Sequence, residues 1–395
     1  MREEIKMAAN VSPSPVNKPA PASMNDAWGT SYLLGVCEQC DWLFLVPQAS
    51  GAGQPAAAPV CPHCFQARLS AVEQDSALAS QLRPPELYLP FALSPAALQQ
   101  ILQSFSSGIR FAPADLSLTN LQARLQCIYL PVWLVDSQIQ ATWEAEVGMN
   151  YQVVSHQDRF DDRRGGWSSR EVEETRVRWE ARAGRLNRSY QNIGAPALQA
   201  HPLIVQRLGN YDLTKSQPYA ADKAWGGIPA GRSYARLPDR SQVDAWPDVL
   251  PRFQQVAENE CQQACSGDHF REFRWTPEFR SQNWTLMLMP AYTTYYVDDD
   301  GRPHTLFIHG QSGRLSGQRR ASMKRAQKSA IWLAAVGLIV SVISLLLVAA
   351  TVVLPPILIL GGIGLVVGLA FLLSACIPLI MVWSTNRNLP DSGPF

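Results

Sequence analysis

Residues 330–383 read AIWLAAVGLIVSVISLLLVAATVVLPPILILGGIGLVVGLAFLLSACIPLIMVW. These 54 residues contain no Asp, Glu, Lys or Arg and are nearly all apolar. A bilayer crossing needs about 20 apolar residues, so the block suffices for two. Pro355-Pro356 stands near its middle, where the missing N–H groups end a helix. The reading is a transmembrane hairpin of two helices, about 330–354 and 357–383, joined by a very short turn. A soluble core hairpin would need a polar face, and this block has none.

The flanks give the orientation. Arg314, Arg319, Arg320, Lys324, Arg325 and Lys328 precede the block with no acidic residue among them. Excess Lys and Arg keep that side cytoplasmic, and a hairpin returns the C-terminus there. The expected location is therefore the inner (cytoplasmic) membrane, with both termini in the cytoplasm. Residues 318–329 form a basic juxtamembrane segment and 384–395 a short tail. Trp332 and Trp383 fall at the same interface, as an aromatic belt would place them. Gly361, Gly364 and Gly368 are small residues at helical spacing, suited to packing within the hairpin or to docking on another membrane protein. With no ionisable residue inside the bilayer, nothing suggests an ion pathway or proton relay. The basic stretch also suits anionic lipid head groups, although topology signalling alone accounts for it.

The remainder has ordinary soluble character. Lys plus Arg is 34 and Asp plus Glu is 33, a formal charge of +1. Setting aside the apolar block and the tail, with its one Arg and one Asp, leaves 65 charges on residues 1–329. Such balance argues against a protein that holds nucleic acid by a broad basic surface. Residues 1–28 are rich in Pro, Ala, Ser and Asn and lack an apolar h-region, so they read as a disordered lead-in and not as a signal peptide. Met7 and Met24 are alternative starts.

Four of the eight cysteines form Cys37-Glu-Gln-Cys40 and Cys61-Pro-His-Cys64, 20 residues apart. Each pair lets a short knuckle offer two thiolates to a tetrahedral metal, and two knuckles close the shell. A reducing cytoplasm disfavours the disulfide alternative. The reading is a structural zinc ribbon over 29–70. A closed four-thiolate shell leaves no open position for catalysis. His63 could replace a cysteine, but four thiolates are the simpler set. Asp41 and Phe65 follow the knuckles where many ribbons carry Gly. Cys261, Cys265 and His269 have helical spacing but read as ordinary helix residues, Cys127 as core and Cys376 as membrane.

Residues 84–317 read as an α+β domain, mostly antiparallel sheet with a few helices. Pro95–Ser106 has helical spacing behind Ser94 as N-cap. Arg124–Val135 reads as a buried strand and Glu171–Ala183 as a half-buried one. Between His156 and Tyr190 nine Arg face seven acids, a solvated surface and not a nucleic-acid groove. Trp246–Cys265 reads as a helix bounded by Pro247 and Gly267. Trp284–Val297 and His304–His309 flank Asp298-Asp299-Asp300-Gly301, a solvated hairpin turn that lacks the other ligands of a calcium loop. Tyr129-Leu-Pro-Val-Trp133 and Leu288-Met-Pro-Ala-Tyr292 echo each other and suggest two related β units, their shared Pro marking a bend or edge.

The knuckles, Leu89-Pro-Phe91-Ala-Leu93, Leu130-Pro-Val-Trp133-Leu-Val-Asp136, and Pro290-Ala-Tyr292 followed by His309-Gly310-Gln-Ser-Gly313 together resemble a group of bacterial zinc-ribbon membrane proteins of unassigned activity. These are often described as related to the zinc part of the primosomal helicase (replication factor Y). The resemblance covers roughly 35–317 and departs at Asp41, Phe65 and Tyr292, where Gly, Gly and Trp would be expected. It implies no reaction. The helicase description also lacks its machinery, because no Gly-x4-Gly-Lys-[Ser/Thr] phosphate cradle occurs in the chain. Gly-x-Gly-x-x-Gly, Gly-x-Ser-x-Gly and His-Glu-x-x-His are absent too. Asp136 with Glu144 or Glu146 reads as strand surface charge before a carboxylate pair.

The functional expectation is a membrane-anchored, non-enzymatic zinc-ribbon interaction protein, an accessory or assembly subunit of a larger membrane complex. Its partners would be the lipid bilayer and other proteins of that complex, with no small-molecule substrate in evidence and nucleic acid disfavoured. Twelve Trp, among them Trp167, Trp225 and Trp246 outside obvious core patterns, fit contact surfaces. The rival readings are a membrane-tethered nucleic-acid-binding or transcription regulator, and an enzyme whose site has no recognised motif.

Overall fold

The computed structural model describes residues 28–29, 31–48, 58–72, 83–161, 166–228, 231–350 and 357–389. The chain is a mixed α/β protein with a large sheet. The strands are β1 (Tyr32–Cys37), β2 (Leu43–Pro47), β3 (Leu69–Ala71), β4 (Leu87–Tyr88), β5 (Gln126–Asp161), β6 (Gly166–Ala195), β7 (Gln217–Pro218), β8 (Ser233–Arg236), β9 (His269–Val297), β10 (Pro303–His309) and β11 (Leu315–Ser316). The helices among the described residues are α1 (Pro95–Ser107), α2 (Leu118–Ala123), α3 (His201–Leu208), α4 (Ala221–Trp225), α5 (Gln242–Cys265), α6 (Met323–Ala350), α7 (Ile357–Ser374) and α8 (Cys376–Arg387). The hydrogen-bonded order is β11-β10-β9-β5-β8-β2-β1-β3, with β6 on β5 and β4 joining β9 to β7. Pairings are antiparallel except β5 with β8 and β4 with β9.

Two compact units share this chain. Val132–Gln199 and Pro238–Leu286 make the first; the described residues of Pro21–Pro131, Ala200–Leu237 and Met287–Phe395 make the second. The 84–317 stretch read as one domain thus contributes to both.

In the first unit β5 and β6 pair from Trp133↔Ala195 out to Asp161↔Gly166. Both strands outrun their expected limits, because alternation continues past the apolar run: Ile139, Ala141, Ala145 and Val147 remain buried. A bulge sits between Val135 and Ser137. Opposite it, Asn192 takes φ 57° and donates its N–H to Asp136 Oδ1 at 2.7 Å. Helix α5 begins four residues before the expected Trp246. Ser241 and Asp244 form a reciprocal capping box there, and Pro247 and Pro251 lie inside the helix. Both prolines are on the exposed face, where water can satisfy the carbonyls they leave unbonded. The opposite face buries Ala245, Val249, Phe253, Ala257 and Cys261 against Trp133, Ile139 and Trp284. Trp246 packs edge-on against Phe279 here, so it serves the core.

In the second unit Trp28, the last residue of the expected lead-in, is fully buried and accepts the Tyr219 hydroxyl on its carbonyl at 3.0 Å. Residues 1–27 lie outside the described residues. The described residues of 29–70 contribute β1, β2 and β3 to the main sheet, with Phe44↔Arg236 and Leu45↔Ala235 joining β2 to β8. Tyr32, Leu34 and Leu45 bury with Tyr129, Leu237 and Leu288, and Trp225 packs on the same cluster. Ser94 caps α1 by accepting the Ala97 N–H at 3.2 Å, and Leu98, Leu102 and Phe105 pack on Tyr296, Leu306 and Ile308. The echoed prolines are in interior strands and not at an edge. Pro131 stands where the partner of β5 changes from β8 to β6, and Pro290 where that of β9 changes from β4 to β10. A residue without N–H fits such a gap in the ladder.

Two helical stretches, Met323–Ala349 and Ile359–Arg387, are long and apolar enough to cross a membrane. The Pro355-Pro356 turn lies outside the described residues. Helix α6 starts at Met323, so more than half of the 318–329 stretch read as a basic juxtamembrane segment is already helical. The second stretch is divided at Ala375, because Pro378 has no N–H for the Ser374 carbonyl.

Candidate metal centre

The first knuckle lies between β1 and β2, and the second precedes β3. Cys37 and Cys64 place their sulfurs 3.6 Å apart, Cys40 and Cys61 3.7 Å, and all four lie within 4.8 Å of one another. A tetrahedral ion with metal–sulfur bonds of about 2.3 Å needs sulfurs about 3.8 Å apart, so this donor set fits one. A disulfide needs about 2.05 Å, and all four thiols are free. It is the sole such group among the described residues.

Local backbone geometry makes the clusters. Asp41 N–H bonds the Cys37 carbonyl at 2.8 Å and Phe65 N–H the Cys61 carbonyl at 3.1 Å, the same turn twice. Both residues adopt the left-handed region, Asp41 at φ 56° and Phe65 at φ 54°. The turn therefore forms without the expected glycines, at a cost of roughly 1–2 kcal/mol for each Cβ. Phe65 recovers part of this by stacking on Tyr295 with centroids 4.4 Å apart. Hydrogen bonds from Cys40 and Cys61, with backbone N–H groups of Gln66 and Ala67, hold the Cys64 thiol well below its usual range and favour its thiolate.

Residues far away in sequence complete the surroundings. Thr293 donates its hydroxyl to the Pro62 carbonyl at 3.0 Å, and Thr305 donates to the His63 carbonyl at 3.1 Å, pinning the second knuckle to β9 and β10. His63 is buried and stacks on Trp42 at 3.7 Å, so it stands outside the sulfur cluster. Burial pushes its pKa down to about 4, keeping the ring neutral. Arg236 is 3% exposed, lies over the Trp42 ring and donates to the Leu43 carbonyl at 3.1 Å. Its charge is close enough to lower His63 further. None of Trp42, Arg236, Thr293 or Thr305 carries a motif. A cavity of about 90 Å³ lined by Cys64, Arg207, His304 and Phe307 adjoins the second knuckle. That is well below the roughly 300 Å³ of ordinary small-molecule sites.

The other candidates are dispersed. Glu144 and Glu146 face Arg274 and Arg271 at 3.9 and 2.7 Å, and Asp136 serves the bulge. His269 bonds Asn150 at 2.9 Å and leaves Cys261 and Cys265 on α5. The Asp298–Gly301 turn is less solvated than expected. The Asp298 side chain is only 6% exposed and holds His304 at 2.8 Å, while Asp299 accepts the Ser322 hydroxyl and the Lys324 N–H at 2.8 and 2.9 Å and so caps α6. Arg320 stands 3.8 Å from Asp298, and Arg319 lies over the Phe105 ring. Arg325, Lys328, Trp332 and Trp383 are exposed. Gly361, Gly364 and Gly368 face α6: a Cβ on Gly361 would sit 2.6 Å from Val348, one on Gly364 would strike Ser344, and one on Gly368 would sit 3.0 Å from the Gly337 carbonyl. Comparison with protein-family models, curated proteins and solved structures finds no match to this chain.

Proposed function

We propose that this protein is a membrane-anchored, non-enzymatic interaction protein, an accessory subunit of a larger membrane complex, in which the four cysteines hold a structural zinc ion. The observation that carries the reading is how firmly the apolar helices join the folded part. Asn386, near the end of α8, exchanges two hydrogen bonds with the backbone of Ala321, at 2.9 and 3.0 Å. Val382 packs on Ala321 and Ala326, and Ile109 and Phe111 close over them. Ser322 N–H bonds the Phe111 carbonyl at 2.7 Å, and the Tyr296 hydroxyl bridges Gln318 and Arg320. A bare anchor would need only a flexible linker; this one holds the second unit at a set height and rotation.

Zinc in a closed thiolate shell would fix the knuckles and supply no reactive position. Along α6 and α7 large apolar side chains such as Leu338, Leu346, Leu360 and Val366 are more than half exposed, a surface that suits lipid or a partner's helices. The basic flank favours the cytoplasmic side of the inner membrane. A tagged purification from native membranes in mild detergent, with mass spectrometry of everything retained, tests the proposal. A stoichiometric set of membrane proteins is expected. A monodisperse monomer would count against it, and nucleic acid or RNA polymerase in their place would favour the tethered regulator.

A further inference from the structure

We infer that the common base of α6 and α8 is a seat for anionic phospholipid head groups, a step that rests on the membrane reading above. The Asn386–Ala321 and Val382–Ala326 contacts bring the start of α6 beside the end of α8. Lys324, Arg325 and Lys328 in the first turns of one helix and Arg387 in the last turn of the other therefore stand at one end. Exposed Arg110, between Ile109 and Phe111 that pack on this base, and exposed Arg319 join them. Among the described residues, Arg110, Arg319, Arg325, Lys328 and Arg387 form no ion pair with a carboxylate. The nearby acids are spent, Asp299 on the cap of α6 and Asp298 on His304 and Arg320.

Three cations in the first turns of α6 oppose the positive end of its own dipole. Among the described residues Asp299 is the carboxylate that caps this end, so the arrangement gains from an external anionic layer. The aromatic level next to the cations says what layer that is. Trp332 and Trp383 are 66% and 55% exposed, further along each helix toward its apolar part, and Arg387 lies over the Trp383 ring at 5.0 Å. Cations on one side and half-wet indoles on the other match the head-group and carbonyl levels of a bilayer. Each Lys or Arg at an anionic surface changes affinity roughly fivefold.

The full chain, reconstituted in vesicles of equimolar phosphatidylcholine and phosphatidylglycerol, tests this through tryptophan quenching by chain-brominated forms of either lipid. Brominated phosphatidylglycerol should quench several-fold more effectively than brominated phosphatidylcholine. That preference should fall to near unity in Arg325→Gln/Lys328→Gln/Arg387→Gln and shrink as salt rises. Equal quenching by both lipids in the wild type, or a preference that the variant or high salt leaves intact, would overturn the inference while leaving insertion standing. Quenching by neither would overturn the membrane reading itself.

Discussion

At the level of single residues, the cysteine centre is strained where its neighbours lack glycine. Asp41 is exposed and has its left-handed φ without a packing role, so Asp41→Gly should stabilise the protein by up to about 1 kcal/mol. Phe65→Gly should destabilise despite the same relief, because the stack on Tyr295 is lost; denaturant midpoints separate the two. Cys37→Ser or Cys64→Ser should drop zinc content from stoichiometric to near zero by metal analysis. A folded, metal-free wild type would remove zinc from the proposal. His309 offers a separate handle. Its Nδ1 accepts the N–H groups of Gln311 and Ser312, both at 3.1 Å, and burial lowers its pKa below the ordinary value. A His held neutral in the fold protonates more readily when unfolded. Its contribution is therefore complete above about pH 6.5 and fades as pH falls below that. The denaturant midpoint should show a steeper acid slope in wild type than in His309→Phe, which should also cost about 1–3 kcal/mol for the stranded N–H groups.

Between elements, long-range hydrogen bonds fasten the knuckles and the apolar helices to the sheet. Thr293→Val leaves the Pro62 carbonyl without its buried donor, a loss of about 1–3 kcal/mol. The variant should surrender zinc to a chelator faster than wild type at equal total zinc content. At the other end, Asp299→Ala removes the cap on the Lys324 N–H and leaves Ser322 on the Arg325 N–H, a loss of about 1 kcal/mol. It should quicken proteolysis around residues 318–323 without altering zinc content. Prolines in this chain show how context overrules a local rule. Pro247 and Pro251 sit inside α5 because their carbonyl partners face water. Pro378, itself buried, divides the second apolar stretch at Ala375.

For the molecule as a whole, the cysteine centre is part of the second unit's sheet and not a module hung in front of it. Pairing of β2 with β8 and the shared cluster of Tyr32, Leu34 and Leu45 with Tyr129 and Leu288 make that so. A chain beginning after residue 82 should accordingly lose cooperative unfolding and bind a hydrophobic dye; a sharply folded remainder would show the cysteine-bearing segment to be autonomous. Deleting 29–70 to test partner or nucleic-acid binding would for the same reason report on folding.

The features legible in the sequence are local: the thiol spacing of each knuckle, the charge-free apolar block, and the Ser94 cap are set by residues near one another in the chain. Strand lengths were not legible, because an apolar run marks only where a strand is buried on both faces, whereas β5, β6 and β9 run on half-exposed through alternation. Nor were Arg236, Thr293 and Thr305, whose bonds to the start of β2 and to the second knuckle span 193, 231 and 242 residues. The turn at Asp298-Asp299 reads as solvent-facing until the start of α6 is brought against it. These features emerge on folding, because a hydroxyl or guanidinium carries no mark of its partner until the chain closes the distance and removes the water it would otherwise bond.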